Sequence, residues 1–260
     1  MSRAGARGRV TAAAATATAT ALAAIAVAPA PAGAAAPLPL RPPGAAGPLG
    51  TERLSDERTV TRWAHAAARA PVRARPSPAA PAVARLRWST ENGRPEVYLV
   101  LASRAVRPSA VWLRVRVPGR PNGRTGWVRR EHLTALRLVD TQLLIDRAAL
   151  TATLRRGGRV VWRSRVGIGA AGTPTPAGRF WVRERLRNLR GDSLYGPWAF
   201  GTAAYSALSD WPRGGVVGIH GTDRPELIPG RPSHGCVRVP NAAIVRLAAL
   251  LPVGTPVRIR

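Results

Sequence analysis

The sequence predicts a mostly-β protein, built as a small barrel followed by a larger β-rich domain with one or two helices. Three observations carry that prediction. Between residues 61 and 136, short apolar-alternating runs recur at 83–88, 97–102, 111–117 and 125–128, with turn signals at Asn92-Gly93, Pro118-Gly119 and Pro121-Asn122-Gly123. A second series follows at 142–146, 150–154, 160–166 and 180–185, joined by Gly/Pro-rich connections. Only 241–251 has helical periodicity: Ile244, Leu247, Ala248 and Leu251 share one face, Pro240 opens the stretch and Pro252 stops it. Long helices do not alternate with the strands, which excludes a doubly wound sheet.

Taken in order, residues 1–36 read as an export signal. Arg3, Arg7 and Arg9 precede an uncharged stretch at 10–27, and small residues offer cleavage positions at Ala32-Gly33-Ala34 and Ala34-Ala35-Ala36. The Ala/Thr content makes this stretch weakly hydrophobic, which favours cleavage over retention as an anchor. Residues 37–60 are Pro/Ala/Gly-rich and are expected to be an extended linker. The barrel is assigned to 61–136 and the second domain to 137–260. Within the latter, 187–210 has little periodicity, 216–220 reads as a short buried strand, and 257–259 closes the chain as another. The expected location is the cell wall, periplasm or outer face of the membrane.

The formal charge is +27, from 40 basic residues, all arginine, against 13 acidic ones. The arginines are spread along the chain and often alternate with apolar residues, as in 112–117 (WLRVRV), which places them on the wet face of strands. This is the signature of a general compositional bias, with adhesion to anionic cell-wall polymers as its consequence. Nucleic acid is not an expected partner, because an export signal and the lack of an aromatic-basic platform both oppose it.

The chemistry concentrates in 218–238 (GIHGTDRPELIPGRPSHGCVR), which holds the single cysteine, Cys236, and two of the four histidines. One cysteine cannot form an internal disulfide, so an exported chain would carry a free thiol. A thiol near its ordinary pKa is mostly protonated at neutral pH and needs a base within hydrogen-bond reach to act as a nucleophile. His220, ending an apolar strand, and His234, two residues before the cysteine, both qualify, and spacing does not choose between them. The amides of Gly235, Cys236 and Val237 are candidates for an oxyanion nest, with Gly235 permitting unusual backbone angles. Arg238 is placed to hold a carboxylate in bidentate fashion. A metal site at His220, His234 and Cys236 lacks a clear fourth ligand, Asp223 being the nearest acid to His220, so neither metal nor cofactor is expected.

At these residues the sequence resembles the L,D-transpeptidase (YkuD-like) catalytic family. The resemblance rests on His220-Gly221-Thr222 and on Ser233-His234-Gly235-Cys236-Val237-Arg238. Val166-Gly167-Ile168-Gly169, Thr173-Pro174-Thr175-Pro176-Ala177-Gly178 and Gly254-Thr255-Pro256-Val257 also fit. It implies that Cys236 is the nucleophile and His220 its base, with the Gly221 carbonyl orienting the imidazole. Ser233, His234 and Gly235 then shape the oxyanion turn, and Arg238, Tyr205 and Asn241 are expected substrate contacts. Ala242 and Ala243 stand where many relatives carry an acidic residue, read as a lost helix-start interaction. Residues 70–86 and 112–133 resemble bacterial SH3-like domains, which implies binding of wall peptides or partner proteins. The implied reaction is acyl transfer between peptidoglycan stem peptides through a thioester, open to inhibition by carbapenem-type β-lactams. The rival readings are an L,D-carboxypeptidase using water at the same site, and a wall-binding protein with an idle catalytic domain.

Overall fold

The computed structural model describes residues 50–260 apart from 108, 189–193 and 211, and of 212 and 213 it describes the backbone alone. The expected export signal and most of the expected linker lie outside the described residues. The first sheet consists of β1 (Thr51–Arg53), β2 (Thr61–Ala64), β3 (Pro71–Arg73), β4 (Ala82–Arg85), β5 (Tyr98–Arg107), β6 (Ala110–Arg116), β7 (Thr125–Arg129) and β8 (Arg137–Val139). Its order is β4-β3-β7-β6-β5-β2-β8, with β1 also on β5. Its pairings are antiparallel.

Among the described residues the first strand starts at Thr51, not Thr61, which corrects the linker assignment over its last residues. The cause is the length of β5: β2 pairs only with Tyr98, Leu99 and Val100, and β1 continues along the same edge at Ala102, Ser103 and Arg104. The Asp56 carboxylate then accepts the N–H groups of Arg58, Thr59 and Val60 at 2.7–2.9 Å and fixes the turn between the two strands. At the other end β8 pairs with β2, so residues 137–139 complete the first sheet. Arg114 is exposed on β6 as the alternation predicts, but Arg116 is buried and held by both carboxylate oxygens of Glu57, at 2.6 and 2.9 Å.

The second sheet contains β9 (Thr141–Asp146), β10 (Thr151–Arg156), β11 (Arg159–Arg165), β12 (Gly167–Gly169), β13 (Gly178–Arg187), β14 (Trp198–Tyr205), β15 (Val216–His220), β16 (Gly230–Ser233), β17 (Val237–Arg238) and β18 (Pro256–Ile259). The order is β11-β10-β9-β18-β13-β14-β15-β17-β12-β16. The pairs β18–β9, β15–β17 and β12–β16 are parallel and the rest antiparallel. The single α-helix among the described residues, α1 (Asn241–Leu250), buries Ala243, Ile244, Leu247 and Ala248. β14 corrects the expectation of a loose stretch at 187–210. Its last six residues, from Phe200 onward, are all buried, so the alternation that marks a half-exposed strand is missing from its sequence.

β13 bends where its partners change. Gly178–Trp181 pair with β18, whereas Val182 and the residues from Glu184 onward pair with β14, with a register shift between Val182 and Glu184. A bulge at Arg183 breaks the two-residue period, and Arg183 and Glu184, adjacent in sequence, are both buried. Both reach residues 87–96 of the first sheet's connection. Arg183 donates to both oxygens of Glu96, at 2.7 and 2.5 Å, and lies 3.0 Å from Glu91. Arg87 meets Glu96 at 2.7 Å and Glu91 at 3.2 Å. Apolar packing follows the same seam: Trp63, Val97 and Leu99 of the first sheet belong to the core formed by Leu143, Trp181 and Phe200 of the second. The Trp181 indole N–H donates to the Val97 carbonyl at 2.7 Å. Gly254 has a φ of +81°, and a side chain there would run into the Trp63 ring.

Candidate active site

His220 ends β15, and the parallel strand β17 lies beside it in the register Ile219↔Val237 and His220↔Arg238. This pairing carries Cys236, the residue just before β17, alongside the end of β15. Gly218 and His220 project from the same face of the strand, being two residues apart. A Cβ on Gly218 would lie 3.6 Å from His220 Cδ2 and 3.8 Å from Cys236 Sγ. The space that a side chain would take at Gly218 is therefore a gap that both thiol and imidazole border. The Gly218 N–H donates to Sγ at 3.3 Å.

The imidazole is buried and held in a defined tautomer. Its Nδ1 lies 2.6 Å from the Gly221 carbonyl, which can only accept, so Nδ1 carries the proton and Nε2 the lone pair. The Tyr195 ring packs edge-on at 4.9 Å between centroids. Behind it, Asn241 Oδ1 accepts the Thr222 N–H at 2.9 Å, and a Cβ on Gly221 would lie 2.3 Å from that oxygen and 2.9 Å from the Gly196 Cα. Gly221 is glycine because backbone and side chain close on it from two directions. Asn241 was expected to touch substrate; its carboxamide oxygen instead pins the loop after His220.

The turn before Cys236 is equally determined. Ser233 Oγ donates to the Cys236 carbonyl at 2.6 Å and accepts the Gly235 N–H at 3.2 Å. Buried Thr175 Oγ1 accepts the Gly169 N–H at 2.9 Å and donates to the Gly235 carbonyl at 2.8 Å, which ties the turn to β12. Gly235 has a φ of +119°, a region costly for other residues. Gly235 spends its N–H on Ser233 and so leaves the set of oxyanion donors expected in this turn. His234 is exposed on the far side of the turn.

Burial pushes the Cys236 thiol above its ordinary value of 9.0, opposed by the Gly218 hydrogen bond and the positive charge of Arg238. The thiol rests protonated and depends on its neighbour for activation. The guanidinium Nε of half-buried Arg238 has no hydrogen-bond partner among the described residues.

Cys236, Gly218 and His220 line a cavity of about 200 Å³ together with Tyr195, Glu184 and Asn92. Arg187 also borders it, while Arg238, His234, Asn241 and Tyr205 do not. Tyr205, expected to contact substrate, faces the seam instead: its hydroxyl donates to Glu91 at 2.6 Å and accepts from Arg183 at 3.2 Å, and its backbone N–H and carbonyl are both held by Asn122. Sequence reasoning missed Asn92, Glu184 and Arg187. The Asn92-Gly93 turn was visible only as a break between strands, and Glu184 only as part of the strand FWVRER.

Residues 140–259 match the profile of the L,D-transpeptidase catalytic domain. This part of the chain belongs to that family. Among its relatives, the putative L,D-transpeptidase YkuD of Bacillus subtilis is 34% identical over 121 residues, covering 46% of this chain and 66% of the relative. The putative L,D-transpeptidase YqjB of the same organism is 34% identical over 101 residues, covering 36% and 56%. The chain thus spans between about half and two thirds of the length of these relatives. The solution structure of the catalytic domain from E. faecium L,D-transpeptidase is 26% identical with a TM-score of 0.35, covering 46% of this chain and 97% of that one.

Proposed function

We propose that the protein is an exported L,D-transpeptidase that joins peptidoglycan stem peptides through a thioester on Cys236. The observation that carries this reading is the Gly218 gap, with the thiol and an imidazole of fixed tautomer on its two sides. His220 Nε2 accepts the thiol proton as Sγ attacks a peptide carbonyl. The amides of Cys236 and Val237 hold the oxyanion. Collapse of the tetrahedral adduct breaks the C–N bond, His220 returns the proton to the departing amine of D-alanine, and a thioester remains. An amine of a second stem then loses a proton to His220 as it attacks the thioester; a new amide forms and the thiol is restored. The positive charge of Arg238 favours the thiolate form on the way. The basic segment at 1–36 supports export, and the net charge of +27 suits residence among anionic wall polymers.

Intact-mass measurement after exposure to a carbapenem tests the nucleophile. The parent protein should gain one adduct, and Cys236→Ala none. Incubation with a stem tetrapeptide and an amine acceptor then separates transfer, which yields dimers, from hydrolysis, which yields only the tripeptide. An adduct that persists in Cys236→Ala would sink the assignment.

A further inference from the structure

We propose that Glu184 forms the anionic half of a subsite for an ammonium group of the peptide substrate, an inference that rests on the stem-peptide reading above. Glu184 is 3% exposed and lines the same cavity as Cys236 and His220. It stands just past the bulge at Arg183, where β13 shifts its register against β14. Its two oxygens accept only from neutral donors, Thr90 Oγ1 at 2.6 Å and Asn92 Nδ2 at 2.5 Å. Among the described residues, no guanidinium nitrogen lies within 4.0 Å of its carboxylate oxygens, in a chain with 40 basic residues. Its neighbour shows the contrast: Arg183, on the same bulge, meets two carboxylates.

A buried carboxylate is costly unless a cation compensates it. Each carboxylate oxygen has two lone-pair sites, and the two protein donors occupy one on each. The remaining acceptor capacity belongs to a group bordering the cavity, and an ammonium is the partner that supplies both donors and charge. The cross-linking chemistry offers that group from two sources, a side-chain amine of the acyl donor and the attacking amine of the acceptor. A glycine opposite is required for the arrangement. Gly201 pairs with Glu184 across β13 and β14, and any side chain there would collide with the carboxylate.

The donor arm of the test titrates full-length Cys236→Ala with a stem tetrapeptide bearing a free side-chain amine, and with the same peptide acetylated at that amine. The free amine should bind about tenfold more tightly. Glu184→Gln in the same background should bring the ratio near one, and Glu184→Asp should preserve part of it. The acceptor arm measures KM for an amine acceptor in parent and Glu184→Gln proteins at saturating donor, and expects a rise of about tenfold if the acceptor is the source. A carboxylate that merely fastens Thr90 and Asn92 would weaken both peptides alike and leave the ratio unchanged. The inference is overturned if Cys236→Ala binds both peptides equally and the acceptor KM is unmoved. If the variants do not fold, equal binding of the two peptides by Cys236→Ala, together with no saturation by acceptor in the parent protein, overturns it. A preference for the free amine in a protein that forms no thioester would instead uphold the subsite and refute the transpeptidase reading.

Discussion

Replacing Arg183 with methionine should destabilise the protein by about 3–5 kcal/mol, the usual cost of leaving a buried charge without its partner. The magnitude follows from the charge balance at the seam. Arg87 and Arg183 face Glu91 and Glu96, so the cluster is neutral. Arg183→Met leaves Glu96, whose side chain is 0% exposed, with Arg87 as its cation, and Arg87 is 43% exposed. The variant also strips Glu91 of its 3.0 Å partner and Tyr205 of a donor. Glu96→Gln should cost less, about 1–3 kcal/mol, because Arg183 keeps Glu91. In the double variant the remaining Arg87–Glu91 pair at 3.2 Å is again neutral. Urea unfolding of the parent, both single variants and the double should therefore give a coupling of about 1–3 kcal/mol, with the double more stable than the sum of its parts. Additivity within about 0.5 kcal/mol would refute the view that these groups act as one compensated cluster.

Three further outcomes are expected. Gly235→Ala forces an alanine to φ +119° with its Cβ 3.2 Å from that of Ser206, and should cost about 1–3 kcal/mol in thermal unfolding while slowing carbapenem acylation. Asn241→Ala removes the acceptor of the Thr222 N–H and should cost about 1–3 kcal/mol, with slower acylation as the loop after His220 loosens; Asn241→Asp, which keeps an acceptor, should recover most of both. In His220→Ala, alkylation of Cys236 by iodoacetamide should still be rising past pH 9.0, since burial favours the protonated thiol. The same shift stabilises the fold fully below pH 9.0 and is lost as pH climbs through the raised value, so Cys236→Ala should flatten the alkaline limb of the stability profile.

The candidate nucleophile and its candidate bases were legible because reactive residue types are scarce: one cysteine and four histidines leave few arrangements. Choosing His220 over His234 was beyond spacing, because it depends on parallel pairing between β15 and β17, strands separated by a loop. The resemblance pointed to His220, and the geometry places it across Gly218 from the thiol. β14 was hidden because burial removed its alternation, and β1 because three polar residues, Thr51-Glu52-Arg53, carry no strand pattern of their own. Glu184 was hidden for a sharper reason. In FWVRER three apolar residues run into three charged ones, so no alternation assigns Glu184 a face, and a bulge inserts one residue into the ladder without any glycine or proline to announce it. The partners of Tyr205 and Asn241 within the protein were not legible, since groups 83 and 19 residues away leave no local trace.

The meeting of Trp63 with Gly254 has a consequence for how the chain matures. During synthesis the first sheet is made well before the residues that cover it. Until residues 143–200 arrive, Trp63, Val97 and Leu99 lack the apolar cover of Leu143, Trp181 and Phe200, and neither Glu96 nor Glu91 has Arg183; Gly254 reaches the Trp63 ring later still. A half-made molecule therefore presents a sticky surface with uncompensated acid at its edge, the condition that favours aggregation or capture by a chaperone. The first sheet thus gains its full stability only once the second sheet has been made to cover it.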